Sequence, residues 1–334
     1  MPSDAQKPVC WGVLSVSGHY RRRVHAGMSS SPLVELRAIA SRSPEKAARA
    51  ARELAFAVEY GSYEALLADR AIEAVYIPLP NHAHAEWVCK AADAGKHVLC
   101  EKPFAMNAQQ AEETIRYAEG RNVRVMEAFM YRFHPQWRRV VAIVRSGEIG
   151  EVQAVHTEFG FMQTDPANIR NILSTGGGAL YDIGCYAVSC ARWVIGAEPQ
   201  RVMSLVQRDA RFGTDKLSSG MLDFGGPRAT FTVSTQTFPT QRVVIQGTTG
   251  NVVLHLPFNA WPDSPVRVTV TTPVGVRTLE PPATDQYLAM IEAFSRSIRD
   301  ATPVPIPAAD AIANMRVLDA LFRSEHSGCW ETVA

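Results

Sequence analysis

Three side chains suited to moving a proton stand in two short segments of the chain. Lys102 lies two residues after the apolar run 98–100. Asp182 and Tyr186 lie four residues apart on a predicted helix, so both project from one face. A lysine that is partly desolvated beside another cation has a lowered pKa and can exchange a proton near neutrality. A tyrosine, whose ordinary pKa is about 10, needs a neighbouring cation for the same task. These residues suit proton transfer at a carbinol, although Lys102 could instead pair with Glu101 and Tyr186 could be a half-buried aromatic.

The framework around Lys102 is an alternation of short apolar strands and helices in the first 127 residues. Strands are predicted at Val9–Leu14, Val34–Ala40, Ala74–Ile77, 98–100 and 123–126. Helices are predicted at 20–28, 44–54, Tyr63–Leu67, 83–94 and 108–120. This alternation indicates a parallel sheet that is covered on both faces and wound right-handed. A ligand of such a sheet belongs at the carboxyl ends of its strands, where Lys102 lies.

The rest of the chain, residues 128–334, has a pattern typical of an α+β domain. Helices are predicted at Pro135–Arg145, 180–195, 284–298 and 308–324. Strands are predicted in close succession at 151–161, 202–207, 218–224, 229–235, 242–246, 251–256, 266–271 and 274–279. We therefore expect a large, mainly antiparallel sheet with helices on one face, and a domain boundary after residue 127.

Composition narrows the class of protein without pointing to a reaction. The 34 Lys and Arg residues nearly balance 33 Asp and Glu residues, which argues against a nucleic-acid partner. No apolar stretch of about 18 residues occurs, and the segment Met1 to Pro8 is short and polar, so we expect neither a membrane span nor a secretory signal. The six cysteines form no Cys-x-x-Cys pair, and we expect mostly buried thiols in a reducing, cytoplasmic compartment. His82 and His84 are spaced like metal ligands, but no acidic or thiol ligand follows, so we expect no metal site.

The turn after the first strand matches a dinucleotide-binding fingerprint only in part. That fingerprint, Gly-x-Gly-x-x-Gly/Ala, lets the backbone approach a pyrophosphate at a helix N-terminus. Here serine stands at the two leading glycine positions, and Tyr20 stands at the third, where it conflicts with close helix–strand packing. Serine is small, and its hydroxyl can donate to a phosphate oxygen. If this segment binds a cofactor, the contacts come from Ser15, Val16, Ser17, His19 and Tyr20. The alternative is an ordinary turn between a strand and a helix.

The end of the second strand favours NADP over NAD. An NAD-specific domain usually carries Asp or Glu at this point for the ribose 2′-hydroxyl. This chain has Ser41 and Arg42 there, followed by Lys46. Arginine can bind a phosphate bidentately, so these residues suit a 2′-phosphate. The alternative is a solvated loop arginine, with NAD as the second candidate cofactor.

Four longer segments carry a family resemblance. They are residues 77–84 (IPLPNHAH), 94–103 (AGKHVLCEKP), 126–133 (MEAFMYRF) and 176–186 (GGGALYDIGCY). Together they resemble, in family order, the Gfo/Idh/MocA oxidoreductases, the superfamily of glucose–fructose oxidoreductase and inositol dehydrogenase. The resemblance covers nearly the whole chain. It implies a Rossmann dinucleotide-binding domain over 1–127 and a substrate-binding and dimerisation domain over 128–334.

The resemblance also assigns roles to individual residues. Lys102 corresponds to the family's general acid/base lysine, and the peptide before Pro103 is often cis in the family. Much of the family has Asp-x-x-x-His where this chain has Asp182 and Tyr186. That departure resembles the branch of dimeric dihydrodiol dehydrogenases and NADP-dependent D-xylose dehydrogenases, in which the tyrosine hydroxyl, assisted by the lysine, handles the substrate proton. Further residues matched to cofactor or substrate contacts are Leu79, Asn81, His84, Glu101, Arg132 and Arg170.

Two points stay open within this scheme. Either Lys102 or Tyr186 could carry the proton. Arg132 could position the nicotinamide end of the cofactor or the substrate, and Arg170 could face the substrate beside Lys102, Asp182 and Tyr186. A salt bridge between the domains is the alternative for both arginines.

The resemblance implies an NADP(H)-dependent oxidoreductase acting on a hydroxyl of a sugar, such as the aldose D-xylose, or of a cyclic trans-diol. One alternative is a dinucleotide-binding regulator without dehydrogenase activity, which only the altered first turn supports. Another is a glycosidase or aldose–aldose oxidoreductase that never releases its cofactor. Family members commonly pair through the exposed face of the C-terminal sheet, so a homodimer or a dimer of dimers is implied.

Overall fold

The chain, seen in a computed structural model that describes residues 7–333, divides into two units. The first unit takes the described residues up to Met130 together with Tyr287–Ile312. The second holds Tyr131–Gln286 and the described residues from Ala313 onward. Residues 1–6, on which the prediction of no secretory signal partly rests, lie outside the described residues.

The first unit is built on a fully parallel six-stranded sheet in the order β3-β2-β1-β4-β5-β6. Its strands are β1 (Val9–Leu14), β2 (Val34–Ala40), β3 (Val58–Tyr60), β4 (Ala74–Ile77), β5 (His97–Cys100) and β6 (Val125–Glu127). Strands β1 and β4 are buried along their whole length, as expected for a sheet covered on both faces. The predicted doubly wound α/β class is confirmed, and the strand order changes direction between β1 and β4, where ligands of such sheets bind.

Helices cover this sheet, and three of them begin at side-chain caps. They are a π-helical turn (Tyr20–Val24) that leads into α1 (His25–Ser30), then α2 (Pro44–Glu53), α3 (Tyr63–Leu67), α4 (His84–Asp93), α5 (Ala108–Glu119) and, from the end of the chain, α8 (Gln286–Arg299). The side chains of Ser43, Ser62 and Asn107 accept hydrogen bonds from the first-turn backbone of α2, α3 and α5.

Helix α8 packs in the first unit, which the boundary predicted after residue 127 does not allow for. The Trp11 indole on β1 donates to the Ser295 hydroxyl over 3.2 Å. The Arg299 guanidinium binds the Glu73 carboxylate at 2.6 Å from two of its nitrogens. These long-range contacts explain why Tyr287–Ile312 groups with the first unit rather than with the sheet that precedes it.

The second unit contains a nine-stranded sheet in the order β14-β13-β12-β11-β7-β10-β9-β8-β15. Its strands are β7 (Val152–Met162), β8 (Arg201–Arg208), β9 (Asp215–Asp223), β10 (Arg228–Ser234), β11 (Gln236–Gly247), β12 (Asn251–Leu254), β13 (Val268–Thr272), β14 (Gly275–Leu279) and β15 (Glu331–Thr332). Within it, β7 and β10 run parallel and the other neighbouring pairs run antiparallel. The mainly antiparallel α+β domain is therefore confirmed.

Helices lie against one face of this sheet. They are α6 (Pro135–Arg145), a π-helical turn (Leu180–Gly184) that leads into α7 (Cys185–Ile195), and α9 (Ala308–Ser327). The buried Ser204 of β8 donates to the carbonyl of Leu321 on α9 over 2.7 Å, whereas the alternate positions Met203 and Leu205 are exposed. Strand β8 thus shows one covered and one open face.

Three expectations about cysteines, metals and membranes can be compared with the described residues. Cys10, Cys100, Cys185 and Cys190 are buried free thiols, Cys89 is half-buried, and Cys329 is exposed. Between residues 7 and 333, no group of three or more His, Cys, Asp or Glu side chains is arranged to hold a metal ion. Among the helices of the same residues, none combines the length and apolar character needed to cross a bilayer.

Candidate active site

The end of β5 places Lys102 beside a buried carboxylate. Glu101 is buried; it accepts a short hydrogen bond from the Tyr76 hydroxyl on β4 and lies 3.5 Å from the His19 ring. Burial alone would raise the pKa of Glu101, but His19, Lys102 and the Tyr76 hydroxyl outweigh it and lower that pKa. Lys102 is half-buried, and the peptide that joins it to Pro103 is cis, as the resemblance implied. The carboxyl edge of the sheet therefore holds an ionised glutamate next to the proposed acid/base lysine.

The loop after β4 is tied to the loop that carries Lys102. His84, at the start of α4, has one ring nitrogen 2.8 Å from the carbonyl oxygen of Leu79 and the other 2.8 Å from that of Pro103. Its ring is fully buried, whereas Asn81, three residues earlier, is half-buried at the turn. The structure thus places the His84 ring against the protein's own backbone, while Asn81 keeps partial access to solvent.

The first turn keeps a glycine-like backbone although it lacks the leading glycines. Ser15, at the first fingerprint position, has φ +145°, a conformation that favours glycine. The Ser17 hydroxyl accepts a hydrogen bond from the Tyr20 amide over 3.1 Å and so closes the turn. The Arg22 guanidinium lies 3.5–3.7 Å from where a Cβ on Gly18 would stand. Arg22 was missed in the sequence because the fingerprint does not include it, yet it covers the exposed glycine of the turn.

Tyr20 lies beneath this turn rather than along it. Its side chain is fully buried, packs 6.0 Å from Tyr76 and 6.1 Å from Phe56 between ring centroids, and approaches His25 Nδ1 at 3.2 Å through its hydroxyl. Burial raises the pKa of Tyr20 far above its ordinary value. The wider π-helical turn that begins at Tyr20 coincides with the place where a large residue replaces the third glycine. Of the predicted cofactor contacts, the Tyr20 side chain therefore belongs to the core.

The end of β2 presents two basic side chains to solvent. The Ser41 hydroxyl accepts a hydrogen bond from the Ser43 amide over 3.2 Å and shapes the turn. Arg42 and Lys46 are exposed, and their side chains have no hydrogen bond or ion pair with any residue between 7 and 333. Two unpaired cations at the strand end that normally selects the ribose substituent suit a 2′-phosphate. This arrangement, together with the Ser15 backbone, fits NADP.

In the second unit, Asp182 is held by an arginine. Asp182 is 9% exposed, and the Arg170 Nε atom donates to its Oδ2 atom over 2.6 Å. Two residues that were predicted to contact substrate thus form an ion pair with each other. Both lie in the second unit, so this ion pair of Arg170 is not a salt bridge between the domains. A carboxylate held by a partly exposed guanidinium keeps its orientation.

Tyr186 stands on α7 inside a cage of aromatic rings. Its ring centroid lies 5.8 Å from those of Tyr131 and Phe159 and 5.3 Å from that of Phe258. Its side chain is almost fully buried, with 4% of the residue exposed. Such packing allows the ring few orientations, so its hydroxyl has a defined direction.

Arg132 is anchored to the helix that carries Tyr186. Its Nη2 atom donates to the Ser189 hydroxyl over 2.9 Å, and its guanidinium lies 5.3 Å from the centre of the Trp193 ring. Ser189 also bonds the Tyr131 hydroxyl at 2.8 Å. Arg132 therefore contacts α7 directly, and its predicted contact with the cofactor stays a prediction.

Asp215 is a second residue that sequence reasoning missed. It is 1% exposed, and its Oδ2 atom accepts hydrogen bonds from the Leu180 amide over 2.6 Å and the Ser218 hydroxyl over 2.9 Å. A Cβ on Gly178, whose φ is +125°, would lie 1.8 Å from its other oxygen, which explains one glycine of the triplet. Burial raises the pKa of Asp215 to about 6. Asp215 caps the helical segment that carries Asp182 and Tyr186, and its position at the start of β9 carries no recognisable pattern.

Two family models match the chain. Residues 12–129 match the model described as oxidoreductase family, NAD-binding Rossmann fold. Residues 137–253 match the model described as GFO/IDH/MocA C-terminal domain.

Named relatives match most of the chain. The chain is 39% identical to a D-xylose 1-dehydrogenase (NADP(+)) of Haloferax volcanii, over 95% of this chain and 98% of that protein. It is 34% identical to a trans-1,2-dihydrobenzene-1,2-diol dehydrogenase of Xenopus tropicalis, over 78% of each. Its structure is similar, with a TM-score of 0.90 and 29% identity, to a 3-ketoreductase from Actinomadura kijaniata in complex with NADP and TDP-benzene, over 95% of this chain and 98% of that one.

Proposed function

Because this chain belongs to the Gfo/Idh/MocA oxidoreductase family, we propose that it is an NADP(H)-dependent dehydrogenase acting on CH–OH groups. Its substrate is a sugar, such as the aldose D-xylose, or a cyclic trans-diol. The observation that carries the proposal is the residue set itself: a lysine at the end of β5 and an Asp-x-x-x-Tyr pair on a helical segment that Asp215 caps. The D-xylose and dihydrodiol dehydrogenases among the relatives support both substrate classes.

The first unit supplies the residues that would hold NADP. We assign Ser15, Val16, Ser17 and His19 to the phosphate turn, with Arg22 as an added cation beside Gly18. Ser41, Arg42 and Lys46 would bind the 2′-phosphate, and Leu79, Asn81, Glu101 and Lys102 would line the nicotinamide end. When bound, NADP supplies the hydride acceptor or donor.

The chain's own residues supply the proton chemistry. Lys102, beside the ionised Glu101, and Tyr186, with its defined orientation, share the proton of the substrate hydroxyl. We assign to Asp182, which is held by Arg170, the role of orienting the substrate. The Arg170 side chain remains about one third exposed, so it keeps access to a polar substrate.

A panel of pentoses, hexoses, inositols and trans-dihydrodiols with NADP⁺ tests this function. We expect turnover with an aldose or a trans-diol, which is measured as an increase in the absorbance of NADPH. Binding of NADPH without turnover on any substrate would favour the regulator alternative. Nucleotide absorbance that survives dialysis would favour an oxidoreductase that keeps its cofactor.

The open face of the second unit's sheet supports a homodimer or a dimer of dimers. Exposed apolar side chains line that face, namely Met203, Leu205, Met221 and Trp330. A second copy of this chain is the occupant that the family resemblance implies. Sedimentation analysis should show a dimer or larger assembly, and Leu205→Glu should shift it toward monomer; a wild-type monomer at micromolar concentration would contradict the assignment.

A further inference from the structure

His84 joins the two loops at the carboxyl edge of the first unit's sheet. Its ring is completely buried, with Nδ1 2.8 Å from the carbonyl oxygen of Pro103 and Nε2 2.8 Å from that of Leu79. Leu79 follows β4, and Pro103 is the residue after Lys102. A change in the protonation or position of this ring would therefore alter the backbone next to Lys102.

The protons on the ring can be counted from its two partners. A carbonyl oxygen only accepts hydrogen bonds, so each ring nitrogen at 2.8 Å must donate to be satisfied. A neutral imidazole has one N–H and one lone pair, and that lone pair would face a carbonyl oxygen. Only the imidazolium donates from both nitrogens and satisfies both carbonyls.

The charges around His84 act in opposite directions. Burial, the largest influence, lowers the pKa of His84, and Lys102 and the N-terminus of α4 also disfavour a cation there. The carbonyls of Pro103 and Leu79 and the buried Glu101 carboxylate favour the cation. Because Glu101 is ionised, a negative charge is present to compensate a positive ring. The two contacts at 2.8 Å both require a donor on the ring, and this requirement favours the imidazolium over the neutral imidazole.

We propose that His84 is a doubly protonated imidazolium between Leu79 and Pro103 and that it is a positioning residue for Lys102. One charge-assisted hydrogen bond fixes the carbonyl of Pro103, the residue after Lys102, and the other ties it through the ring to the carbonyl of Leu79. Since Lys102 disfavours charge on His84, a charged His84 favours the neutral, proton-accepting form of Lys102 in return. This inference rests on the proposed acid/base role of Lys102.

The protonation state is tested without cofactor or substrate. In protein labelled with ring-¹⁵N histidine, the His84 signal should show two protonated nitrogens at pH 7 to 8, and it is assigned by its loss in His84→Gln. A single neutral tautomer would overturn the proposal. If His84→Gln does not fold, neutron diffraction of the unaltered protein answers the same question, since deuterium on only one ring nitrogen would have the same meaning.

The positioning role is tested by the pH profile of oxidation. In His84→Gln the acidic limb of kcat/KM should move to higher pH, so that activity near pH 7 falls about three- to tenfold more than activity on the alkaline plateau. His82→Gln, at the exposed neighbouring histidine, is the matched control and should leave the limb in place. A uniform loss at every pH would mean a structural role only.

The outcomes separate this inference from the proposed function. Full activity of Lys102→Met would refute the role of Lys102 and leave the protonation result for His84 standing. An inactive Lys102→Met with an unmoved limb in His84→Gln would refute the positioning role alone.

Discussion

Replacing Asp215 with Asn should change how the stability of this protein depends on pH. In the folded chain Asp215 is 1% exposed and accepts hydrogen bonds from the Leu180 amide and the Ser218 hydroxyl. Asparagine can accept the same hydrogen bonds through its amide oxygen but cannot ionise. The substitution therefore keeps the cap on the Asp182–Tyr186 segment and removes its titration.

The magnitude follows from the raised pKa. Burial raises the pKa of Asp215 from its ordinary value of 3.8 to about 6. One pKa unit corresponds to about 1.4 kcal/mol, so the difference is worth about 3 kcal/mol. An acid with a raised pKa binds its proton more tightly in the folded state, so its contribution is full below pH 3.8 and is lost as the pH rises to about 6. Between pH 4 and 7, the wild type should lose about 2–3 kcal/mol relative to Asp215→Asn.

Urea unfolding of both proteins, followed by circular dichroism at several pH values, measures this difference. The variant's free energy of unfolding, taken relative to wild type, should rise from pH 4 to about 6 and level off by pH 7. Asp215→Ala is the control, because it removes the cap as well as the titration and should be about 1–2 kcal/mol less stable than Asp215→Asn at every pH. Parallel pH profiles for wild type and Asp215→Asn would refute the reasoning, since they would mean that Asp215 does not titrate in this range.

Three further predictions concern the first unit. Lys102→Met should lower turnover at least about 100-fold while NADPH still quenches protein fluorescence; undiminished turnover would contradict the mechanism. The double change Arg42→Ala with Lys46→Ala should raise the Kd for NADPH at least about tenfold and leave that for NADH nearly unchanged, because charged hydrogen bonds to the 2′-phosphate are lost; equal weakening of both would exclude this site. Ser15→Gly should raise the free energy of unfolding by about 1 kcal/mol in urea, because φ +145° strains a serine, and a loss of stability would argue against that strain.

Hydrophobic periodicity and turn residues were enough to predict most of the framework. The strands Val9–Leu14, Val34–Ala40 and Ala74–Ile77 have the predicted bounds. The first and third are continuous apolar runs that the sheet buries, whereas Val34–Ala40 contains two charged residues and is buried only over its last three. The short strands Val58–Tyr60 and Glu331–Thr332 were missed, since two or three residues at a sheet edge carry little hydrophobic pattern.

The partners of the site residues could not be predicted, because they come from distant parts of the chain. Asp182 and Arg170 were both identified, but nothing in the sequence indicates that they bond each other. Asp215 meets Leu180 across 35 residues, and the contact becomes visible only when β9 is placed beside the glycine triplet. Motifs indicated which side chains take part, whereas tertiary packing determines which atoms restrain them.

The altered first turn bears on the choice between an enzyme and a cofactor-binding regulator. The regulator hypothesis depends on the loss of the leading glycines, because that loss would close the turn to a pyrophosphate. Ser15 nevertheless takes the backbone conformation that glycine favours, and Gly18 stays exposed beneath Arg22. Tyr20 is accommodated in the core below a π-helical turn, so its bulk does not stand in the turn itself. The feature that weakened the dinucleotide-binding interpretation in the sequence is therefore accommodated in the fold, and the regulator hypothesis loses its main support.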